Sequence, residues 1–355
     1  MKLRRLLSFL LCLLFIFGLF CSCHAMDKGK KDEPKPQAKS YYEFFDTVSV
    51  IMSYKNDTKE EFEANCNAVS SLLYEYHKML DIYYEYEGIN NLKTVNKNAG
   101  KEPVKVDARL VDFLLYAKDI YKLTGGTTNI AMGSVLRLWH DARENGIDEP
   151  ENATLPSADT LFEASKHSDI NNLIINKEES TVFISDPDMS IDVGAMGKGY
   201  ATEMAAELLI SRDVTSYVLN IGGNIRALGE KKAGEGWVTG ITNPEKTAEE
   251  SFVCKVVIKD ISLVTSGNYE RYYEVNGVRY HHIIDPETNM PANYFASVSV
   301  FTKDSALADS LSTALFCMSH EDGLTLINGI GGVDAIWVYP DGSLKMTDGV
   351  VLYKE

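Results

Sequence analysis

Asp309 and Thr313 stand four residues apart in the run Ala306-Leu307-Ala308-Asp309-Ser310-Leu311-Ser312-Thr313. On a helix that spacing sets a carboxylate and a hydroxyl on one face. Hard oxygen donors of this kind suit Mg2+, which also takes substrate phosphates as ligands; an ordinary helix start with an incidental Thr uses the same residues. A second group is Asp192-Val193-Gly194-Ala195-Met196-Gly197-Lys198-Gly199-Tyr200. A strand that runs through a glycine-rich turn into a helix offers free N–H groups, a positive dipole end and close backbone approach to a phosphate. Lys198 adds a full positive charge. It is followed by Gly199 rather than Ser or Thr, so the loop is not a Walker A motif, and its glycine spacing does not fit a dinucleotide fingerprint. A structural turn with a solvated Lys competes with the anion-site reading.

A third group is Thr265 to Tyr272, followed by His281-His282-Ile283-Ile284-Asp285-Pro286. Successive strand residues face opposite ways, so one of the two histidines reaches a given site and the other is satisfied elsewhere. Asn220-Ile221-Gly222-Gly223-Asn224 and Gly125-Gly126-Thr127-Thr128-Asn129-Ile130-Ala131 are weaker signals, since such runs are usually plain turns.

The elements that must carry these groups follow from pattern. Residues 47–54 read as a strand. Thr58-Lys59-Glu60-Glu61 has the capping-box pattern, and Phe62, Cys66, Val69, Leu73, Tyr76 and Leu80 recur after it at helical spacing. Asp107 caps a second helix through Tyr121, ended by Thr124-Gly125-Gly126. Strands are predicted over 173–175, 181–184, 190–193, 217–221, 237–241, 252–258 and 263–265, with a helix over 198–211 among them. Asn276-Gly277 between alternating apolar residues predicts a hairpin with a type I′ turn. A strand over 296–301 leads into a helix over 305–318, and a strand pair ends the chain. Residues 41–355 show no repeat and no linker composition. The prediction is one compact α/β (α+β) body with mixed sheets, in two lobes around a ligand cleft.

Composition narrows the function. The 355 residues are 45% hydrophobic, enough for a large core. With 51 acidic against 35 basic residues the net charge is -16, which excludes nucleic-acid binding as the main task. An anionic ligand then needs a locally positive pocket. Met1 to Arg5 is a basic segment and Leu6 to Phe20 an apolar run, shorter than the about 20 residues of a membrane span. Residues 1–22 therefore read as a lipoprotein signal, with Cys23 after the small Ser22 as the acylated residue. A plain cleaved signal and an uncleaved anchor are the alternatives. Cleavage removes three basic residues and leaves a charge of about -19. Residues 23–40, rich in Lys, Asp, Glu and Pro, read as a tether. Cys66, Cys254 and Cys317 are odd in number, far apart and in apolar surroundings, which points to core thiols.

Taken together and in order, these segments resemble the ApbE family of FAD:protein FMN transferases. The likeness runs from Phe45-Asp46-Thr47 to the Asp309/Thr313 helix. It takes in Ile191 to Tyr200, Leu219 to Gly229, Thr265 to Tyr272, His282 to Pro286 and Ala308 to Thr313. The resemblance implies a catalytic His282, with Mg2+ held by Asp309, Thr313 and the Ala195 carbonyl. It implies FAD contacts from Asp192, Lys198, Ile283, the loop Thr128-Asn129-Ile130 and a tyrosine after the first helix, assigned to Tyr83 within the run Tyr83/Tyr84/Tyr86. Asn129, Ala131, Asn224 and Asn289 depart from the residues most frequent in the family. The implied reaction moves FMN from FAD to a Thr or Ser hydroxyl of an acceptor protein and releases AMP. Alternatives are an FAD pyrophosphatase and a non-catalytic, lipid-anchored flavin-binding protein. The chain has no Asp-Gly-x-Ser/Thr-Gly-Ala-Thr acceptor motif of its own, so the expected partner is a separate exported or membrane protein, met at the extracytoplasmic face of the membrane.

Overall fold

The computed structural model describes residues 36–55, 57–245 and 249–354. The signal segment, Cys23 and most of the tether lie outside the described residues. Eight strands form the main sheet, in the order Gln37–Tyr41, Ser49–Ser53, Tyr217–Ile221, Asn224–Leu228, Ser262–Gly267, Ser297–Thr302, Asp334–Val338 and Leu344–Met346. Spatial order follows chain order, and each strand returns beside its predecessor. Among the described residues every pairing, here and in the smaller sheets, is therefore antiparallel rather than mixed in direction.

The sheet begins earlier than composition predicts. Gln37–Tyr41 falls largely inside the expected tether, yet it pairs with Ser49–Ser53 from Gln37↔Ser53 to Tyr41↔Ser49. An edge strand is held by backbone bonds, so it needs little apolar patterning of its own. Residues 190–193, expected as a strand, have no strand partner. The Asp192 N–H donates to the Ile130 carbonyl at 2.9 Å, and the Gly133 N–H to that of Ser190 at 3.0 Å. This segment thus spends its hydrogen bonds on the loop before the Gly133–Asp148 helix. The helix His320–Ile330, capped by Ser319, was hidden between the expected helix and the terminal strands.

Alternating residues cover both faces of the sheet. Ile51, Tyr217, Leu219 and Ile221 pack against the helices Lys59–Leu80, Ala108–Leu123 and Gly197–Ile210. Val218, Ala227, Leu263, Phe301 and Ile336 point the other way, onto the ribbon Trp237–Thr242/Phe252–Ile258. The central strand Ser297–Thr302 is consequently buried at every position, as expected where both faces are covered. Thr58 forms its capping box with Glu61, and Asp107 caps Ala108–Leu123. Asn276 and Gly277 sit at φ 52° and 78°, the left-handed pair that a type I′ turn requires. Cys66, Cys254 and Cys317 are free, the first and last buried.

Candidate active site

Helices Gly197–Ile210 and Ser305–Phe316 lie side by side on the sheet. Their closest approach is at Gly199, where an added Cβ would stand 2.3 Å from the Asp309 Cβ and 2.5 Å from the Ser305 carbonyl oxygen. The missing side chain is what lets Asp309 reach the start of the neighbouring helix. There Asp309 Oδ2 accepts from the Gly199 N–H at 2.7 Å, with Lys198 Nζ 3.8 Å away. Burial pushes the Asp309 carboxyl up from the usual carboxylate range, against the pull of Lys198 and the Gly199 N–H.

The hydrogen bond to Asp309 has a second consequence. In a regular helix the Gly199 N–H would close a turn onto the carbonyl of Ala195, four residues back. Here it is diverted, and the Ala195 carbonyl accepts no hydrogen bond among the described residues. Asp309 Oδ1 is likewise without a partner there, and Thr313 Oγ1 has only Ser266 Oγ, at 3.4 Å. A carboxylate oxygen, a hydroxyl and a carbonyl are left as a hard-oxygen set beside Lys198, the donor chemistry that suits Mg2+.

At the other end of the same turn lies Asp192. Its Oδ1 accepts from the Gly194 N–H at 2.8 Å. Burial raises its carboxyl, opposed by that bond and by the charges of His140, Arg271 and Arg143. Tyr83 belongs to this cluster. Its ring lies 5.5 Å from that of His140, and burial and the Asp192 charge push its hydroxyl up. Tyr83 itself is 53% exposed and Tyr84 69%, and the Tyr86 hydroxyl donates to Asp81 at 2.7 Å. Of the three tyrosines, Tyr83 is the one turned toward Asp192.

The two histidines are locked in opposite tautomers. His281 is buried against Phe316; its Nε2–H donates to the Ala292 carbonyl at 2.7 Å, while Nδ1 accepts from the Ile283 N–H at 3.2 Å. His282 is partly exposed, and its Nδ1 lies 3.2 Å from the Arg271 carbonyl. A carbonyl only accepts, so Nδ1 carries the proton and Nε2 keeps its lone pair. Burial first, then the charges of Arg271 and Arg143, push the His282 imidazole down to about 3. One histidine serves the core and the other faces out, but not through strand alternation: the strand Val278–His281 ends before His282, whose ring is set by the Arg271 carbonyl.

The loop 128–130 is built inward. Thr128 is buried and its hydroxyl donates to the Ser310 carbonyl at 2.9 Å, tying the loop to the Asp309 helix. Asn129 Oδ1 caps Ala131 and its Nδ2 donates to the Ser168 carbonyl at 2.9 Å. Ile130 and Ile283 are buried. These side chains hold the site's frame with groups already engaged. Conversely, His140, Arg143 and Arg271 cluster with Asp192, Tyr83 and His282. Arg271 lies in the Thr265 to Tyr272 run, but sequence reasoning gave it no role and did not single out His140 or Arg143. The only local signal was the i, i+3 spacing of His140 and Arg143 in Gly133–Asp148.

The chain as a whole is similar to known proteins. Residues 45–337 match the ApbE family. A Treponema pallidum protein named FAD:protein FMN transferase is 33% identical over 319 residues, covering 86% of this chain and 85% of its own. A Klebsiella pneumoniae protein of the same name is 30% identical, covering 78% and 82%. The crystal structure of the ApbE protein of Thermotoga maritima superposes with a TM-score of 0.76 at 26% identity, covering 88% of this chain and 97% of that one. A match over most of the chain, carried by sequence and by fold alike, shows that this protein is a member of the ApbE family.

Proposed function

We propose that this protein is an FAD:protein FMN transferase that moves FMN from FAD onto a Thr or Ser hydroxyl of an acceptor protein, with release of AMP. The observation that carries the reading is the Asp192–Lys198 turn, which joins the hard-oxygen set at Asp309 to the cluster around His282. The activity named for the relatives supports it.

The residues at the helix junction fit Mg2+: Asp309 Oδ1, Thr313 Oγ1 and the Ala195 carbonyl would hold it. When bound it supplies neutralisation of the pyrophosphate and of the charge that grows on the departing AMP. Lys198 adds its charge at the same helix start, where N–H groups already favour phosphate. Tyr83 and Asp192 position the dinucleotide. His282 Nε2 accepts the proton of the acceptor hydroxyl as its oxygen bonds to the FMN-side phosphorus. The bond from that phosphorus to the bridging oxygen breaks, and AMP leaves with the electron pair. An imidazole held near 3 is a weak base. The phosphates of bound FAD offset the neighbouring guanidinium charges and raise it toward the range in which it takes a proton.

We further propose that acylated Cys23 anchors the enzyme outside the cytoplasm, facing an exported or membrane acceptor. No described helix is long and apolar enough to cross a membrane. Labelling with a palmitate analogue should be lost in Cys23→Ser and kept in Cys21→Ser, and the reverse pattern contradicts the assignment. For the activity, a Thr-containing acceptor peptide is incubated with the protein, FAD and Mg2+ and then weighed by mass spectrometry. Peptide plus FMN, with AMP in solution, is expected. Free FMN plus AMP would make the protein a pyrophosphatase, and intact FAD would make it a binding protein.

A further inference from the structure

We infer that Arg143 is a substrate-binding residue whose guanidinium holds a phosphoryl oxygen on the FMN half of FAD. The inference rests on the flavin-transfer reading and adds to it a contact from a helix outside the motifs. Gly133–Asp148 buries Val135 and Trp139 on one side. His140 and Arg143, three residues apart, face Tyr83 and Asp192.

The Arg143 side chain is only 15% exposed. One of its N–H groups donates to His140 Nδ1 at 2.9 Å. The nearest carboxylate in an ion pair with it is Glu144 at 3.8 Å, beyond hydrogen-bond reach and itself 55% exposed. A guanidinium has five N–H donors, and most of these have no protein acceptor among the described residues. Removing such a cation from water costs free energy unless an acceptor, best an anion, takes those donors.

The surrounding protein groups supply few acceptors for those donors. Asp192 is the carboxylate of the cluster, and its Oδ1 is already engaged by Gly194. Arg271 adds positive charge rather than an acceptor, and burial, with the charge of Arg271, lowers the Arg143 pKa. A planar fork of N–H groups matches a phosphate in two-pronged fashion. Beside it stand the aromatic rings of Tyr83 and His140, inclined at 38° to each other. The ligand implied is an oxyanion attached to an aromatic system. Gly146 of the same helix packs against Tyr273, two residues from the Arg271 carbonyl that holds His282 Nδ1. This sets the oxyanion on the side of the base and hence on the FMN-side phosphorus.

The test is flavin binding by Arg143→Gln and Arg143→Lys, read by quenching of flavin fluorescence without any acceptor. FAD and FMN are titrated directly, and riboflavin is used as a competitor that lacks the phosphate. Loss of a charge-assisted contact should weaken FAD and FMN by about ten- to a hundredfold in Arg143→Gln. Arg143→Lys should lose less, and riboflavin should compete as it does in the wild type. Unchanged FAD affinity would overturn the inference. So would an equal loss for riboflavin, which would make Arg143 a packing residue of the Tyr83/His140 pair. A wild type that binds FAD yet transfers no FMN would sink the transferase reading while leaving this test decisive.

Discussion

The junction at Asp309 and the cluster around His282 solve opposite problems. At the junction, two helices press together over Gly199, and a carboxylate is buried with one N–H and one distant ammonium for company. Around His282, a loop tyrosine, a helix, a turn and a hairpin bring three positive or protonatable side chains beside a single buried carboxylate. One region is short of positive charge and the other has a surplus. In the proposed reaction each imbalance would match one half of a metal–pyrophosphate ligand.

The largest effect is expected at the junction. Asp309→Ala should lower Mg2+-dependent turnover by about 10³-fold or more, since a bound cation contributes several kcal/mol to such a step. The protein should stay folded. Asp309→Asn removes the buried charge while keeping an acceptor for Gly199, so without metal it should melt no lower than the wild type. Near-normal turnover with unchanged Mg2+ dependence would move the cation elsewhere and dissolve the contrast.

Next comes the turn that links the regions. Lys198→Ala should weaken FAD binding by about ten- to a hundredfold, as loss of a charged partner to phosphate does. It should leave the melting curve near that of the wild type, and equal FAD affinity would contradict it. Gly199→Ala should cost about 1–3 kcal/mol of stability by overpacking, measured by denaturant unfolding. It should also reduce Mg2+ dependence by displacing Asp309. A neutral result would mean the helices have room to part.

The junction was legible in the sequence because its parts are local. Asp309 and Thr313 are one helical turn apart, and the stretch from Asp192 to Lys198 announces a turn and a helix start by its glycines. Even so, the freed Ala195 carbonyl depends on a hydrogen bond between residues 110 positions apart, which no local pattern encodes. The His282 cluster was legible only in part. The two histidines were told apart by an expected strand that in fact ends at His281, and the motif resemblance picked His282. Arg143 and Arg271 meet only because the Gly133–Asp148 helix packs on the Tyr272–Val275 hairpin strand through Trp139, Gly146 and Tyr273. The strand at 37–41 was missed because backbone pairing, not side-chain pattern, holds it. The segment 190–193 was misread because an apolar run that looks like a strand found its partners in a loop.

The smallest expected effect is a pH dependence of stability. The His282 pKa is lowered from 6.5 in the unfolded chain to about 3, so protonation favours unfolding. Its contribution is present above pH 6.5 and lost as pH falls toward about 3. Without FAD, the wild type should therefore lose more stability across that range than His282→Gln. Identical curves would place the imidazole in open solvent and remove the surplus of positive charge from the comparison.

The central claim is that His282 carries the transfer while His281 carries the fold. Single-turnover labelling of a Thr-containing acceptor by His281→Ala and His282→Ala, with FAD titrated in parallel, tests it most directly. His282→Ala should slow labelling by about 10²–10⁴-fold while still binding FAD. His281→Ala, which strands the Ala292 carbonyl and the Ile283 N–H, should lose about 1–3 kcal/mol of stability yet label at close to the wild-type rate where folded. If His281→Ala were the slow variant and His282→Ala labelled normally, both the tautomer assignment and the mechanism built on it would be wrong.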